Sequence, residues 1–102
     1  MKKAVVLNGI DRIDEYFESL DGSRIGLITN PTGISKDFKP TADILFERGL
    51  LCCLFSPEHG LRGGVTAGGH VSDYIDEKTG VPTYSLYGAS THIREDVING
   101  LD

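Results

Sequence analysis

Residues 50–55 read Leu-Leu-Cys-Cys-Leu-Phe, an apolar run with Gly49 before it and Ser56 after it. A short apolar run between turn residues is typical of a strand that is covered on both faces. A similar run occupies residues 24–29, and residues 40–49 between the two carry apolar side chains at helical spacing. A strand, a helix and a strand in this order predict parallel pairing through a right-handed crossover. The expected fold class is α/β, a Rossmann-like and mainly parallel sheet flanked by helices, in truncated form.

Further elements are predicted on both sides of this unit. Before it, Ile13, Phe17 and Leu20 recur at helical spacing, and Gly22 is a suitable stop, which predicts one amphipathic helix. After it, the glycine-rich residues 57–82 predict a long loop with one short element near residues 71–75.

The last part of the chain predicts a third strand and a third helix. The strand covers residues 81–87, with Pro82 at its start, where a missing N–H donor matters least. The helix begins at Ser90 or Thr91, ends near residues 99–100, and buries one apolar face. The residues of that face are Ile93, Val97 and Leu101.

Length and charge limit the function classes. The 102 residues suffice for one core, so residues 1–102 are expected to form a single Rossmann-like domain or part of one. A net charge of -5 disfavours nonspecific binding to nucleic acid or to an anionic membrane. The chain shows no signal-peptide pattern and no stretch for membrane insertion, which leaves exported and cytoplasmic locations both open. Cys52 and Cys53 are expected to be two buried free thiols on opposite faces of a strand.

Polar side chains follow each of the three predicted strands. The carboxyl ends of parallel strands line the ligand crevice of an open α/β sheet, so these side chains are expected to converge. They suit a polyhydroxylated ligand, with Glu58 as general acid or base. In the alternative interpretation Glu58 caps a turn and His59 donates one hydrogen bond to a backbone carbonyl. The set comprises Thr29, Asn30, Ser56, Glu58, His59, Tyr87 and Gly88.

The sequence indicates which tyrosine is preferred for the site and whether Ser56 is a suitable nucleophile. Tyr84 and Tyr87 face opposite sides of the predicted strand, so one belongs to the core, and Tyr87 is preferred for the site because it is nearer the carboxyl end. Ser56 is followed by proline and does not match a nucleophile elbow, which disfavours a serine hydrolase.

The glycine-rich loop does not match a cofactor motif. No Lys-Ser or Lys-Thr follows its glycines as in a P-loop, and it does not fit a dinucleotide fingerprint, so no cofactor is expected. A wall or lid beside the site is favoured, with Arg62 free to reach an anionic group on a ligand, against the alternative of a solvated surface charge. A metal site is disfavoured because its candidate ligands lack compact spacing. Those candidates are His59, His70, His92, Glu58 and Asp73.

Three blocks of this sequence resemble, in order and spacing, the amino-terminal part of the bacterial exo-β-N-acetylmuramidases. This family of peptidoglycan-recycling glycosidases was formerly grouped as a domain of unknown function, and the resemblance covers nearly the whole chain. The blocks are residues 26–33 (GLITNPTG), 54–63 (LFSPEHGLRG) and 79–88 (TGVPTYSLYG).

The resemblance implies a peptidoglycan-derived sugar as the substrate, a Rossmann-like amino-terminal domain, and a carboxyl-terminal domain that this chain lacks. It implies Glu58 as the catalytic carboxylate with His59 beside it, and the lactyl carboxylate of N-acetylmuramic acid is a suitable partner for Arg62. The chain departs from the family at Gly64 and Gly69, where members commonly carry acidic residues.

Two other functions remain open at this stage. One is a non-catalytic module that binds amino sugars or cell-wall fragments in the same crevice. The other is an interaction domain whose exposed final sheet edge pairs with a second copy of the chain or with a separate partner.

Overall fold

A computed structural model of the chain describes residues 4–57, 61–62, 73–86 and 92–102. Within these residues, four strands form one sheet: β1 (Ile25–Ile28), β2 (Leu51–Ser56), β3 (Tyr74–Ile75) and β4 (Pro82–Ser85). Their order in the sheet is β1-β2-β4-β3. β1, β2 and β4 run parallel, and β3 pairs antiparallel with β4. The predicted α/β class with a mainly parallel sheet is therefore confirmed. The helices, in chain order, are a 3-10 helix (Gly9–Glu15), α1 (Phe17–Leu20), α2 (Thr41–Glu47) and α3 (Glu95–Ile98).

The unit β1-α2-β2 forms as predicted. Pro40 precedes the first turn of α2, where its fixed φ of -59° is compatible with the chain entering a helix. Gly49 follows the helix with a φ of +72°, a left-handed conformation that glycine adopts without strain. β2 then pairs in parallel with β1, so that Leu27 lies beside Leu54 and Ile28 lies beside Phe55.

The prediction of one continuous amino-terminal helix is wrong. The segment divides into the 3-10 helix and the short α1, with Tyr16 between them at φ -114° and ψ -2°. The Asp11 carboxylate accepts a hydrogen bond from the Asn8 N–H at 2.8 Å and another from the Lys36 N–H at 3.0 Å. These bonds fix the first turn to a distant loop, a constraint that helical spacing along the segment does not show.

The core lies between the sheet and the helices of its amino-terminal half. One buried cluster joins Ile13, Leu45 and Leu50, and a second joins Ala42, Leu54 and Leu61. α2 contributes to both clusters through Ala42 and Leu45 and so covers one face of the sheet.

The burial predicted for β1 and for the two cysteines is partly wrong. Ile28 is 57% exposed and points to the face of β1 opposite that of Leu27, which packs against both core clusters. Cys53 is buried, but Cys52 is exposed. The ladder shifts here, since Ile25 pairs with Leu51 and the next residue, Gly26, pairs with Cys53. This shift leaves Cys52 without a paired residue on β1.

The carboxyl-terminal elements are shorter than predicted. The short element expected near residues 71–75 is β3, and Pro82 is the first residue of β4, as predicted. α3 begins only at Glu95, after Arg94 in an extended conformation, so the prediction of a helix that starts before residue 94 is wrong. Ser90 and Thr91, the predicted first residues, lie outside the described residues. The expected buried face of α3 is only half-buried. No helix within the described ranges is long and apolar enough to cross a membrane.

Candidate active site

The parallel pairing brings the carboxyl ends of three strands to one edge of the sheet. Ile28 lies beside Phe55 at the end of β1, and Ser56 lies beside Ser85 where β2 and β4 end. Glu58, His59, Tyr87 and Gly88 lie outside the described residues, so their convergence at this edge stays a prediction.

A compact turn follows β1. The Asn30 side-chain oxygen accepts hydrogen bonds from the Thr32 N–H at 2.9 Å and from the Thr32 hydroxyl at 2.6 Å. The Gly33 N–H donates to the Asn30 carbonyl at 3.0 Å. A Cβ at Gly33 would clash with the Thr29 hydroxyl group unless that group moved, so this close approach favours glycine. Asn30 is exposed, and its side-chain NH2 group donates to no residue in the described part of the chain.

A cleft of about 250 Å³ lies against this turn and brings together two of the predicted binding residues, Asn30 and Arg62. The volume is just below the range of about 300–1,000 Å³ that is usual for small-molecule sites. It suits one sugar ring better than a longer chain. Other residues of its wall are Thr29, Gly33, Leu61 and Lys78.

Ser56, the third predicted binding residue of the described part, has a different environment. Its residue is 0% exposed, and its hydroxyl oxygen lies 3.4 Å from the Pro57 carbonyl oxygen to which it donates. Its role in binding a substrate stays a prediction.

Arg62 is neither a free guanidinium nor a solvated surface charge, in contrast to both sequence interpretations. Its Nε donates to Asp76 at 2.9 Å, and its Nη2 donates to Asp76 at 2.8 Å and to Asp43 at 2.9 Å. The Arg62 side chain is 26% exposed and that of Asp76 only 3%. Arg62 therefore joins α2, the segment after β2 and the β3–β4 hairpin, and its contact with a substrate stays a prediction.

The electrostatics of this cluster follow from its hydrogen bonds. The Arg62 bonds, assisted by those from Thr79, lower the pKa of Asp76 to about 2 against the opposing effect of burial. The same bond to Asp76 raises the pKa of Arg62. With two carboxylates and one guanidinium, Asp43, Asp76 and Arg62 have a formal net charge of about -1.

Asp76 was not singled out from the sequence, although a local signal was present. Its carboxylate accepts from the Thr79 N–H at 3.0 Å and from the Thr79 hydroxyl at 2.6 Å, and its carbonyl accepts from Gly80 at 2.7 Å. Gly80 has a φ of +74°. The pattern Asp-x-x-Thr-Gly at residues 76–80 therefore indicates a side-chain-stabilised turn. The pairing with Arg62 has no such local signal.

Tyr84 belongs to the packed face opposite α2. Its ring centroid lies 5.9 Å from that of Phe55, and the Arg94 guanidinium lies 5.2 Å from the Tyr84 ring centre. Within the described ranges, no three His, Cys, Asp or Glu side chains gather to hold a metal ion. Of the metal ligands considered from sequence, His59, His70 and Glu58 lie outside those ranges.

Comparison with known proteins identifies relatives over nearly the whole chain. Residues 25–102 match the family model "Exo-beta-N-acetylmuramidase NamZ, N-terminal". The peptidoglycan beta-N-acetylmuramidase NamZ of Bacillus subtilis (strain 168) is 48% identical over 104 residues, which cover 99% of this chain and 25% of that protein.

Two crystal structures of DUF1343 family proteins from Bacteroides fragilis NCTC 9343 are also similar. They are 38% and 34% identical, each with a TM-score of 0.72, and cover 90% and 98% of this chain. They are matched over 23% and 24% of their own lengths, so the chain spans about a quarter of these relatives.

Proposed function

The chain belongs to the exo-β-N-acetylmuramidase NamZ amino-terminal family, and from this membership we propose that it is the amino-terminal catalytic part of a glycosidase. The proposed reaction removes N-acetylmuramic acid from the non-reducing ends of peptidoglycan fragments. We further propose that residues 1–102 form one Rossmann-like domain, or part of one. The family match over residues 25–102 is the observation that carries the proposal.

In the proposed mechanism Glu58 supplies the proton for the leaving group. Its carboxylic acid protonates the glycosidic oxygen while the bond between that oxygen and the anomeric carbon breaks. Water then adds to the anomeric carbon, and its proton returns to the Glu58 carboxylate. His59 orients Glu58 or adjusts its pKa. The second group that a glycosidase needs is proposed to come from the part of the relatives that this chain does not span.

The described cleft supports the binding half of this proposal. Asn30 offers a donor at the turn after β1, and the cleft of about 250 Å³ suits the single terminal sugar that an exo-acting enzyme holds. The Arg62 Nη1 group has no bond to a described residue, so it can donate to a hydroxyl although the charge of Arg62 is already compensated. Ser56 and Tyr87 are proposed to border the same site from the ends of their strands.

The test is an NMR titration of the chain with a disaccharide that carries a non-reducing N-acetylmuramic acid. The control ligand is the N-acetylglucosamine analogue, which lacks the lactyl group. Larger shifts for the acidic sugar, centred on the proposed site residues and the wall of the cleft, support a muramidase site, whereas dispersed spectra that respond to neither sugar contradict the proposal.

Glu58→Gln distinguishes an enzyme from a non-catalytic binding module. In the longest natural form of the protein, this change is expected to abolish turnover while sugar binding survives. Unchanged turnover would remove Glu58 from the mechanism.

A further inference from the structure

We propose that the Lys78 ammonium group binds the carboxylate of an acidic sugar in the cleft beside the β1 turn. Lys78 would thereby select N-acetylmuramic acid over N-acetylglucosamine. The inference rests on the proposed function and assigns the recognition of the lactyl group to a residue of the β3–β4 hairpin. Lys78 lies in the wall of the same cleft as Asn30 and Arg62.

The charge of Arg62 is already balanced by two carboxylates. Asp76 binds it at 2.8 Å and 2.9 Å and Asp43 binds it at 2.9 Å, which leaves one net negative charge on the three side chains. A carboxylate ligand that approached this cluster would be repelled overall. A second cation in this cleft would therefore favour the binding of an acidic sugar.

Lys78 is the cleft cation whose charge remains available. Its side chain is exposed, and it forms no ion pair with any residue in the described ranges. The nearby Lys39, by comparison, forms a salt bridge with Glu47. A ligand carboxylate at Lys78 would therefore replace no existing partner.

The backbone of Lys78 is held in place by the turn that surrounds it. Asp76 accepts hydrogen bonds from the Thr79 N–H at 3.0 Å and from the Gly80 N–H at 2.7 Å, and the Asp76 N–H donates to Val81 at 3.0 Å. The Arg62 ion pair fixes the same carboxylate to the cleft wall. The Lys78 side chain thus extends from a fixed backbone position, so that no backbone entropy of this turn has to be lost when a ligand binds.

The two cations would then perform different tasks. Arg62 keeps N–H donors for sugar hydroxyls, and its ion pairs set the shape of the wall. Lys78 supplies an uncompensated positive charge. This charge attracts a lactyl carboxylate and contributes little to the binding of a neutral sugar.

The experiment compares N-acetylmuramic acid with N-acetylglucosamine, both as methyl β-glycosides, by NMR titration of the whole chain. Lys78→Gln is expected to weaken binding of the acidic sugar about fivefold and to leave the neutral sugar within about twofold, the size of a partly exposed ion pair. Lys78→Arg is expected to retain most of the preference. Salt at about 0.5 M is expected to reduce the preference of the unmodified chain, because exposed charges are screened.

Lys36→Gln is the matched control. Lys36 is exposed, lies outside the cleft wall and pairs with its neighbour Asp37 at 3.2 Å, so its removal is expected to leave both affinities unchanged. An unchanged preference in Lys78→Gln would overturn this inference and leave the proposed function standing. Failure of the chain to bind either sugar would overturn both.

Discussion

The buried carboxylate of Asp76 is expected to make the stability of the protein sensitive to acid. Its pKa is about 2 in the folded chain and 3.8 for an ordinary aspartate. Because the pKa of Asp76 is lower in the folded chain than in the unfolded chain, ionisation of Asp76 stabilises the fold. This contribution is about 2 kcal/mol and is complete above about pH 5. That contribution is expected to disappear as the pH falls from about 4 to about 2. Urea unfolding between pH 7 and pH 2 measures it.

Asp76→Asn tests the origin of this acid sensitivity. The variant is expected to lower the free energy of unfolding at pH 7 by about 2 kcal/mol, because Arg62 keeps Asp43 but loses its bidentate partner. Its stability should then change less between pH 4 and pH 2 than that of the unmodified chain. Asp37→Asn is the control, since the Asp37 side chain is 78% exposed and a change within about 0.5 kcal/mol is expected. An equal acid response in Asp76→Asn would contradict the assignment.

Two buried threonines on the hairpin are predicted to respond oppositely to the same substitution. The Thr83 hydroxyl is buried and has no hydrogen-bond partner in the described part of the chain, whereas the Thr79 hydroxyl donates to Asp76 at 2.6 Å. Thr83→Val is expected to raise the free energy of unfolding by up to about 1 kcal/mol, because it removes an unpaired polar group at nearly constant volume. Thr79→Val is expected to lower it by about 1 kcal/mol or more. Thermal unfolding of the two variants measures both, and equal losses would contradict the prediction.

At the scale of single residues, the sequence indicated two residues of the cleft wall but not the ion pairs beside them. Asn30 follows directly from its position after a predicted strand, and the structure places it in the cleft wall. Arg62 was singled out from the sequence, but its ion pairs with Asp76 and Asp43 were not predicted. These partners are 14 and 19 residues away along the chain. Such pairs depend on how the elements pack, and no local pattern indicates them.

At the scale of elements, Gly26 is required by the packing of the chain end on β1. A Cβ at this position would lie 2.6 Å from Leu101 Cδ1 and 2.8 Å from Phe55 Cε2. Gly26→Ala is therefore expected to lower the free energy of unfolding by about 1–3 kcal/mol, the usual effect of overpacking. Chemical denaturation measures this loss.

Two further variants show whether the clash is the cause. A Cβ at Gly9 would have no atom within 4 Å, so Gly9→Ala is expected to change the stability by less than about 0.5 kcal/mol. Adding Leu101→Ala to Gly26→Ala should recover part of the loss, because it removes the nearest clashing atom. Strictly additive losses in the double variant would exclude this contact as the cause.

The elements that the sequence predicted correctly are those set by neighbouring residues. α2 lies between a proline and a left-handed glycine, and both signals are local. In the mispredicted amino-terminal helix, the Asp11 carboxylate binds the Lys36 amide, a contact across 25 residues that the local spacing does not indicate. The ladder shift that leaves Cys52 without a paired residue likewise depends on the pairing of β1 with β2 and not on either strand alone.

At the scale of the whole molecule, the two edges of the described sheet differ in how readily they can pair with a second copy. β3 has two residues, and short edge strands resist further pairing. β1 has four residues, with Ile28 57% exposed, and its amino end is occupied because the Asp102 N–H donates to the Arg24 carbonyl at 2.9 Å. Self-association is therefore predicted to use residues 26–28 of the β1 edge.

Ile28→Lys is expected to suppress this association, because a charge beside an edge opposes strand pairing. Ile75→Lys is the matched control, since Ile75 is 60% exposed, similar to Ile28, but lies on the opposite edge of the described sheet. Self-association of this variant is expected to equal that of the unmodified chain. Size-exclusion chromatography with light scattering over a wide concentration range measures both. A strict monomer throughout, or equal suppression by the two variants, would exclude the β1 edge as the interface.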